Sequence, residues 1–480
     1  MTRPMPLLDL AFLWLDQPAT PSNVGVVLLC DPPPGRTAGS AADRIVRAYR
    51  AARPGHPFDT VPDLSVLALP RWRTTDRIDM RRHVRREKLA APGDVEELCR
   101  HVARLHETPL DRTRPLFSVH VIDGLASGQL AVYLKTHHSS WDGRYALERI
   151  FGQLAREPGA ITAPFFAAPP GHAPAAEPAT LASGLAGGLA TGVRSLLTQA
   201  VAARELVGKL SARTRDGPTD ELPPGNRPFA GPHTRFNEPV TPGRACAGFS
   251  LPLADMRRLA RACGGTLNDV TLAVVDAGVE RFLADLGERP RQPLVAMCPV
   301  SLRDPGDHEA TTKVATLFVP LARPRSGAAD RLRQIIANTR GAKSEFRGFS
   351  REAALDYALL AFGLWFASST LGLGALTRPV VNFVVSNVGG VEGPRYLGDC
   401  RLAAAYPVSM IADPGGLNVT VVSVDDHMDF GIVASASAVA DAFELARACE
   451  TAFAQLTRAV RRAGSAGSTS RRRRPPRLNP

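Results

Sequence analysis

Apolar residues along the chain fall into two kinds of run. Short apolar-rich blocks at Ser22–Leu29, Leu130–Leu134, Leu294–Val300 and Val380–Val385 predict buried strands. Other stretches place apolar residues at helical spacing. Ala41 to Arg53 sets Ile45, Val46 and Tyr49 on one face, and Val95–Leu105, Tyr145–Phe151 and Ala438 to about Arg462 follow the same rule. A short helix over Pro6–Leu15 precedes the first strand. Thr266, three residues before Asp269, predicts the capped start of a helix running to about Leu286.

At 480 residues the chain is too long for one compact core, so two domains are expected. A change of composition marks the division. Prolines at 158, 164, 169, 170, 174 and 178 open an irregular stretch, Ala179–Leu210 reads as one long Ala/Gly/Leu helix, and Pro218–Pro232 returns to loop. The organisation that follows is a first domain over 1–160, a crossover linker over 161–242, a second domain over 243–462 and a tail over 463–480. Tyr357–Thr377 carries no charge and is long enough to cross a bilayer, but its glycines and Ser368-Ser369-Thr370 favour a buried or interfacial helix.

Charge and cysteine content narrow the partners. The formal net charge is +12, and seven arginines without an acid occupy the last 20 residues, leaving +5 for the rest. That Gly/Ser/Pro-rich tail is expected to be disordered. No nucleic-acid-binding motif occurs, so no nucleic-acid partner is expected. Arginines crowd Asp79–Arg86, where a solvated face is the simpler reading than a phosphate-binding site. The seven cysteines show neither Cys-x-x-Cys nor metal-ligand spacing, which predicts reduced thiols and no metal site. Asp9 interrupts the N-terminal apolar run, so no signal peptide is expected and the cytoplasm is the expected compartment.

The candidate chemistry lies at Leu134-Lys135-Thr136-His137-His138-Ser139-Ser140-Trp141-Asp142-Gly143, where a predicted strand empties into a turn and a helix. This His-His-x-x-x-Asp-Gly pattern resembles the active-site signature of the chloramphenicol acetyltransferase-like acyltransferase superfamily. Further segments resemble one branch of it, the bacterial wax ester synthase/diacylglycerol acyltransferase family. They are the Leu-Asp…Phe-Leu helix near Asp9, Pro115-Leu116-Phe117 (with Phe117 for the family's Trp), Asn268-Asp269-Val270-Thr271-Leu272-Ala273, Pro299-Val300-Ser301-Leu302-Arg303 and Ser386-Asn387-Val388-Gly389-Gly390. The chain departs from the family at Asn23, where His is usual, at Thr311-Thr312-Lys313 in place of Gly-Asn, and at Gly389 in place of Pro.

The resemblance implies an α/β fold of two chloramphenicol acetyltransferase-like domains, with mixed sheets flanked by helices and an active-site channel at their interface. It implies an acyl-CoA-dependent O-acyltransferase that esterifies diacylglycerol or a long-chain alcohol. His138 would be the general base, His137 a structural support, Asp142 a brace ion-paired to an arginine such as Arg303, and Gly143 the tight turn. Asn268, Asp269, Ser386 and Asn387 would lie by the substrate channel. Acyl-CoA is the co-substrate and no cofactor is expected; the protein would sit in the cytoplasm, or peripherally at the inner membrane or lipid inclusions. Two rivals are a condensation-like enzyme fed by a carrier-protein thioester and a catalytically weak lipid-binding relative. The acceptor and the oligomeric state are not legible.

Overall fold

The structure is a computed structural model, and it describes all residues except 1, 66–69, 141–142, 162, 168–230, 302–313, 347–377, 414 and 473–480. The long linker helix, the uncharged segment Tyr357–Thr377, the departure at Thr311–Lys313 and the predicted brace residues Asp142 and Arg303 therefore fall outside the described residues.

In chain order the first half comprises β1 (Thr2–Pro4), α1 (Leu7–Leu15), β2 (Asn23–Asp31), α2 (Ala38–Ala51), β3 (Thr60–Asp63), β4 (Arg71–Thr74), α3 (Met80–His83), β5 (Val84–Lys88), α4 (Val95–Glu107), β6 (Phe117–Asp123), β7 (Leu130–His137) and α5 (Gly143–Gly152). The second half comprises β8 (Arg244–Pro252), α6 (Leu253–Cys263), α7 (Leu267–Asp285), β9 (Val295–Ser301), β10 (Val314–Pro320), α8 (Ala328–Phe346), β11 (Phe383–Val391), β12 (Tyr396–Leu397), β13 (Cys400–Val408), β14 (Leu417–Val424), β15 (His427–Ser435) and α9 (Ala442–Arg472).

Two six-stranded mixed sheets dominate, in the orders β12-β13-β2-β7-β6-β5 and β10-β9-β11-β14-β15-β8, beside a small β1-β4-β3 sheet. The fold is thus α/β with two sheet-centred halves. The halves exchange chain: β12 and β13 come after 390 in sequence yet complete the first-half sheet, β13 running antiparallel to β2 from Arg401↔Asp31 to Val408↔Gly25. Residues 396–408 of the stretch drawn as the second domain therefore belong structurally to the first sheet.

Asp429 and Gly431 of β15 explain how β13 crosses over the second sheet. The buried Asp429 accepts hydrogen bonds from the Ala405 N–H (2.6 Å) and the Ser250 hydroxyl (2.6 Å). At Gly431 a Cβ would lie 1.8 Å from the Pro407 carbonyl oxygen, so only glycine admits the crossing strand. One hydrophobic cluster accordingly draws on both halves, with Val27, Leu29 and Ile122 meeting Cys246, Ala404 and Val433.

Two local expectations are corrected. Ser386–Gly390, expected to be a loop from its resemblance to the family's Ser-Asn-Val-Pro-Gly segment, continues strand β11 with a register shift between Asn387 and Gly390. Gly389 there has φ +90°, which proline with its φ fixed near −65° does not reach, so the chain's departure from the family pattern has a backbone reason. The last helix starts at Ala442 and continues to Arg472, ten residues into the tail expected to be disordered.

Candidate active site

Strand β7 is buried along its whole length and ends at His137; a single 3-10 turn over His138–Ser140 then leads to α5. Alternation along the strand puts Tyr133, Lys135 and His137 on one face. His138 leaves the strand and is only half-buried. Its ring stacks on Phe12 of α1, with centroids 4.0 Å apart and planes 22° apart. Its backbone N–H donates to the Ser22 carbonyl at 2.8 Å. Both contacts come from the segment around α1, which therefore forms one wall at the motif.

His137 is fully buried. Its Nδ1 accepts the Ser139 N–H at 3.1 Å, and the Ser139 hydroxyl lies 2.7 Å away. The backbone donor requires a lone pair on Nδ1, so the neutral ring carries its proton on Nε2. Nε2 faces the Asp16 carboxylate at 3.5 Å.

The same face of the sheet carries a polar cluster. Asn23, directly across from His137, donates through Nδ2 to the His106 carbonyl (2.8 Å) and the Thr108 carbonyl (3.0 Å) at the end of α4. Lys135 donates to the Leu105 and Thr108 carbonyls, a favourable place for a cation at a helix C-terminus. Burial nevertheless pulls the Lys135 ammonium down to about 7. His106 donates to the Ser409 carbonyl and faces the Tyr133 hydroxyl at 2.7 Å. Burial, with Lys135 and Arg244 nearby, drives its pKa well below the usual histidine value and keeps the ring neutral.

From the second half, Ser386 is half-buried and Asn387 exposed on β11, and α5 packs directly against that strand. Asn387 Oδ1 accepts the Gly389 N–H at 3.3 Å, holding the bulge. Asn268 is half-buried at the second position of α7. Its neighbour Asp269 is committed to structure. One carboxylate oxygen accepts the Thr266 N–H (2.7 Å) and hydroxyl (2.8 Å), and the other accepts the Thr339 hydroxyl (2.6 Å), clamping α7 to α8. The capping box predicted for Thr266 and Asp269 is present.

The sequence reading missed Phe12, Asp16, Ser22 and Arg112. No spacing rule connects them to the histidine pair; the one signal was polar Ser22-Asn23 opening an otherwise apolar strand. Among the described residues no group of three or more His, Cys, Asp or Glu is placed to hold a metal ion.

The model of the wax ester synthase/diacylglycerol acyltransferase catalytic domain matches residues 5–271, and that of the family's C-terminal domain matches 311–457. The chain belongs to the wax ester synthase/diacylglycerol acyltransferase family. It is an O-acyltransferase of that type. A Mycobacterium tuberculosis protein named, provisionally, as a diacylglycerol O-acyltransferase is 32% identical over 457 residues, covering 94% of this chain and 99% of its own length. The solved wax ester synthase/diacylglycerol acyltransferase of Marinobacter aquaeolei VT8 superposes with a TM-score of 0.76 at 26% identity, covering 95% of this chain and 99% of that one. The first condensation domain of the CDA synthetase shares the fold, with a TM-score of 0.53 at 17% identity and coverage of 95% and 96%.

Proposed function

We propose that the protein esterifies a long-chain alcohol or diacylglycerol with the acyl group of acyl-CoA, His138 serving as general base. His138 takes the proton of the acceptor hydroxyl as its oxygen bonds to the thioester carbonyl carbon. Collapse of the tetrahedral species breaks the carbon–sulfur bond, and the same proton passes to the departing thiolate. A positioned base of this kind contributes ~10²–10⁴-fold. No acyl-enzyme enters this scheme, so none of the cysteines is asked to act; burial raises the thiol pKa of Cys99 and Cys298 to about 12.

The observation that carries the reading is the placement of His138. It is the half-exposed histidine of the pair, in a turn at a strand end, with its ring and backbone both pinned. Asn268, or else Ser386 and Asn387, is assigned to polarising the thioester carbonyl, Asp142 to bracing the turn through an arginine for which Arg303 is one candidate, and Gly143 to starting α5. A channel between the halves supplies access. The water-insoluble acceptor and the outward Trp14 of α1, 65% exposed, support a peripheral station at the membrane or a lipid inclusion. No helix among the described residues is long and apolar enough to cross a membrane.

The test is CoA release from a fatty acyl-CoA across a panel of alcohols and diacylglycerol. The protein should turn over, and His138→Ala should abolish release. A His138→Ala protein with full activity would sink the mechanism.

A further inference from the structure

A buried carboxylate beside the motif has no part in the proton transfers above. We propose that Asp16 is a positioning residue for His138, acting through His137 and the Ser22 backbone and not on substrate. The inference rests on the reading of His138 as the base.

Asp16 caps the C-terminal end of α1, and its side chain is 4% exposed. Oδ1 accepts the Ser22 N–H at 2.9 Å, while the Ser22 carbonyl accepts the His138 N–H at 2.8 Å. The Ser22 hydroxyl donates to the Phe12 carbonyl at 3.1 Å, closing the loop after α1 back onto the helix. Oδ2 accepts from Arg112 Nη2 at 3.0 Å and faces the protonated Nε2 of His137. Arg112 also donates to the Leu13 and Asp16 carbonyls, so one guanidinium holds the helix end and neutralises the carboxylate. Burial pushes the Asp16 carboxyl up, but His137, the Ser22 N–H and Arg112 outweigh it and hold it below its ordinary value.

Every restraint on His138 named here thus leads back to one helix end. Phe12 of α1 stacks on its ring. Ser22, held by Asp16, fixes its N–H. His137, between the Asp16 carboxylate and the Ser139 N–H, fixes the turn on either side of it. A base displaced by about 1 Å typically loses ~10²-fold in rate.

The experiment uses the full chain with a fatty acyl-CoA and a long-chain alcohol. Asparagine keeps an oxygen for the Ser22 N–H and removes the charge that orients His137. Asp16→Asn should lower kcat by ~10–100-fold, with KM for acyl-CoA within about twofold of the parent. His137→Gln should fall in the same range, and the double variant should be no slower than the slower single, because both act through one ring. Asp16→Glu should recover part of kcat. Parental kcat in Asp16→Asn, a change confined to KM, or losses that multiply in the double variant would each overturn the inference. If Asp16→Asn is not recovered folded, Asp16→Glu decides: lowered kcat at unchanged KM and Tm supports the role, and parental kcat refutes it. His138→Ala in the same assay keeps the two ideas apart. Its retained activity would defeat the base assignment, whereas its silence beside a fully active Asp16→Asn would defeat the positioning role alone.

Discussion

Replacing Asp429 by Asn tests both the seam between the halves and its pH dependence. Asp429 is buried, accepts from the Ala405 N–H and the Ser250 hydroxyl, and faces His427 Nε2 at 3.3 Å. The Asp429 carboxylate, aided by exposed Asp426 and opposed by burial, raises the His427 pKa from 6.5 to about 9. Because the folded-state value lies above the unfolded one, the imidazolium stabilises the fold in full below about pH 6.5. That contribution is lost as pH rises through about 9. A rise of this size corresponds to at most about 3 kcal/mol. Lys135 acts in the opposite sense: its pKa of about 7 lies below the usual 10.5, so stability grows as pH climbs between those values. Parent and variant share Lys135, and their difference isolates His427. At pH 6.5 Asp429→Asn should cost the His427 contribution plus about 1.5–3 kcal/mol for the charged hydrogen bonds. At pH 9 the gap should narrow by about 1–3 kcal/mol. Urea or thermal midpoints at the two pH values measure it. A gap that stays constant or widens toward pH 9 refutes the reasoning.

Gly389→Pro, which restores the family's usual residue, should destabilise because φ there is +90°; Gly389→Ala should lose about 1–2 kcal/mol, and a thermal melt that ranks proline above glycine would contradict the bulge geometry. Gly431→Ala places a Cβ 1.8 Å from the Pro407 oxygen, so soluble yield and Tm should both drop sharply, and an unchanged melt would mean β13 crosses elsewhere. Asp269→Ala strips the Thr266 and Thr339 partners that join α7 to α8; the expected loss is about 2–3 kcal/mol by denaturant titration, and a loss under about 0.5 kcal/mol would remove the clamp from the account.

Features that depend on neighbouring residues were legible in the sequence. The His137-His138 turn follows a block of strand-forming residues and precedes a helical pattern, and Thr266/Asp269 capping needs only a three-residue spacing. The family was legible from several such segments together, and the family models and relatives show it. What escaped depends on distant partners. Asp16 meets His137 only because β2 lies beside β7, Arg112 reaches the same carboxylate from the loop before β6, and apart from polar Ser22-Asn23 no local pattern announces either. Gly389-Gly390 looks like a loop by local propensity, yet pairing with β14 keeps it in a strand, and at Gly390 a side chain would strike the Ser423 carbonyl. Gly and Ser after Arg462 lower helix propensity, so the continuation to Arg472 could not be read from composition.

Strand β13 links these observations to the chemistry. Edge-on it pairs with β2, which pairs with the strand that ends in His137. Face-on it is held to the other sheet by Asp429 at Ala405 and by the glycine crossing at Pro407, and at Gly248 a Cβ would meet the Tyr406 ring at 2.5 Å. His106 adds a bond from the end of α4 to the Ser409 carbonyl just past the strand. A rigid separation of the halves would have to break either the β13–β2 ladder or the contacts around Asp429, both of them buried. β2, β7 and the Asp16–His137 contact belong to the first sheet and its surroundings, whereas Ser386 and Asn387 ride on β11 in the second. The restraints that run through Asp16 all lie on the base's own side, which is why Asp16 substitutions are expected in kcat and not in KM.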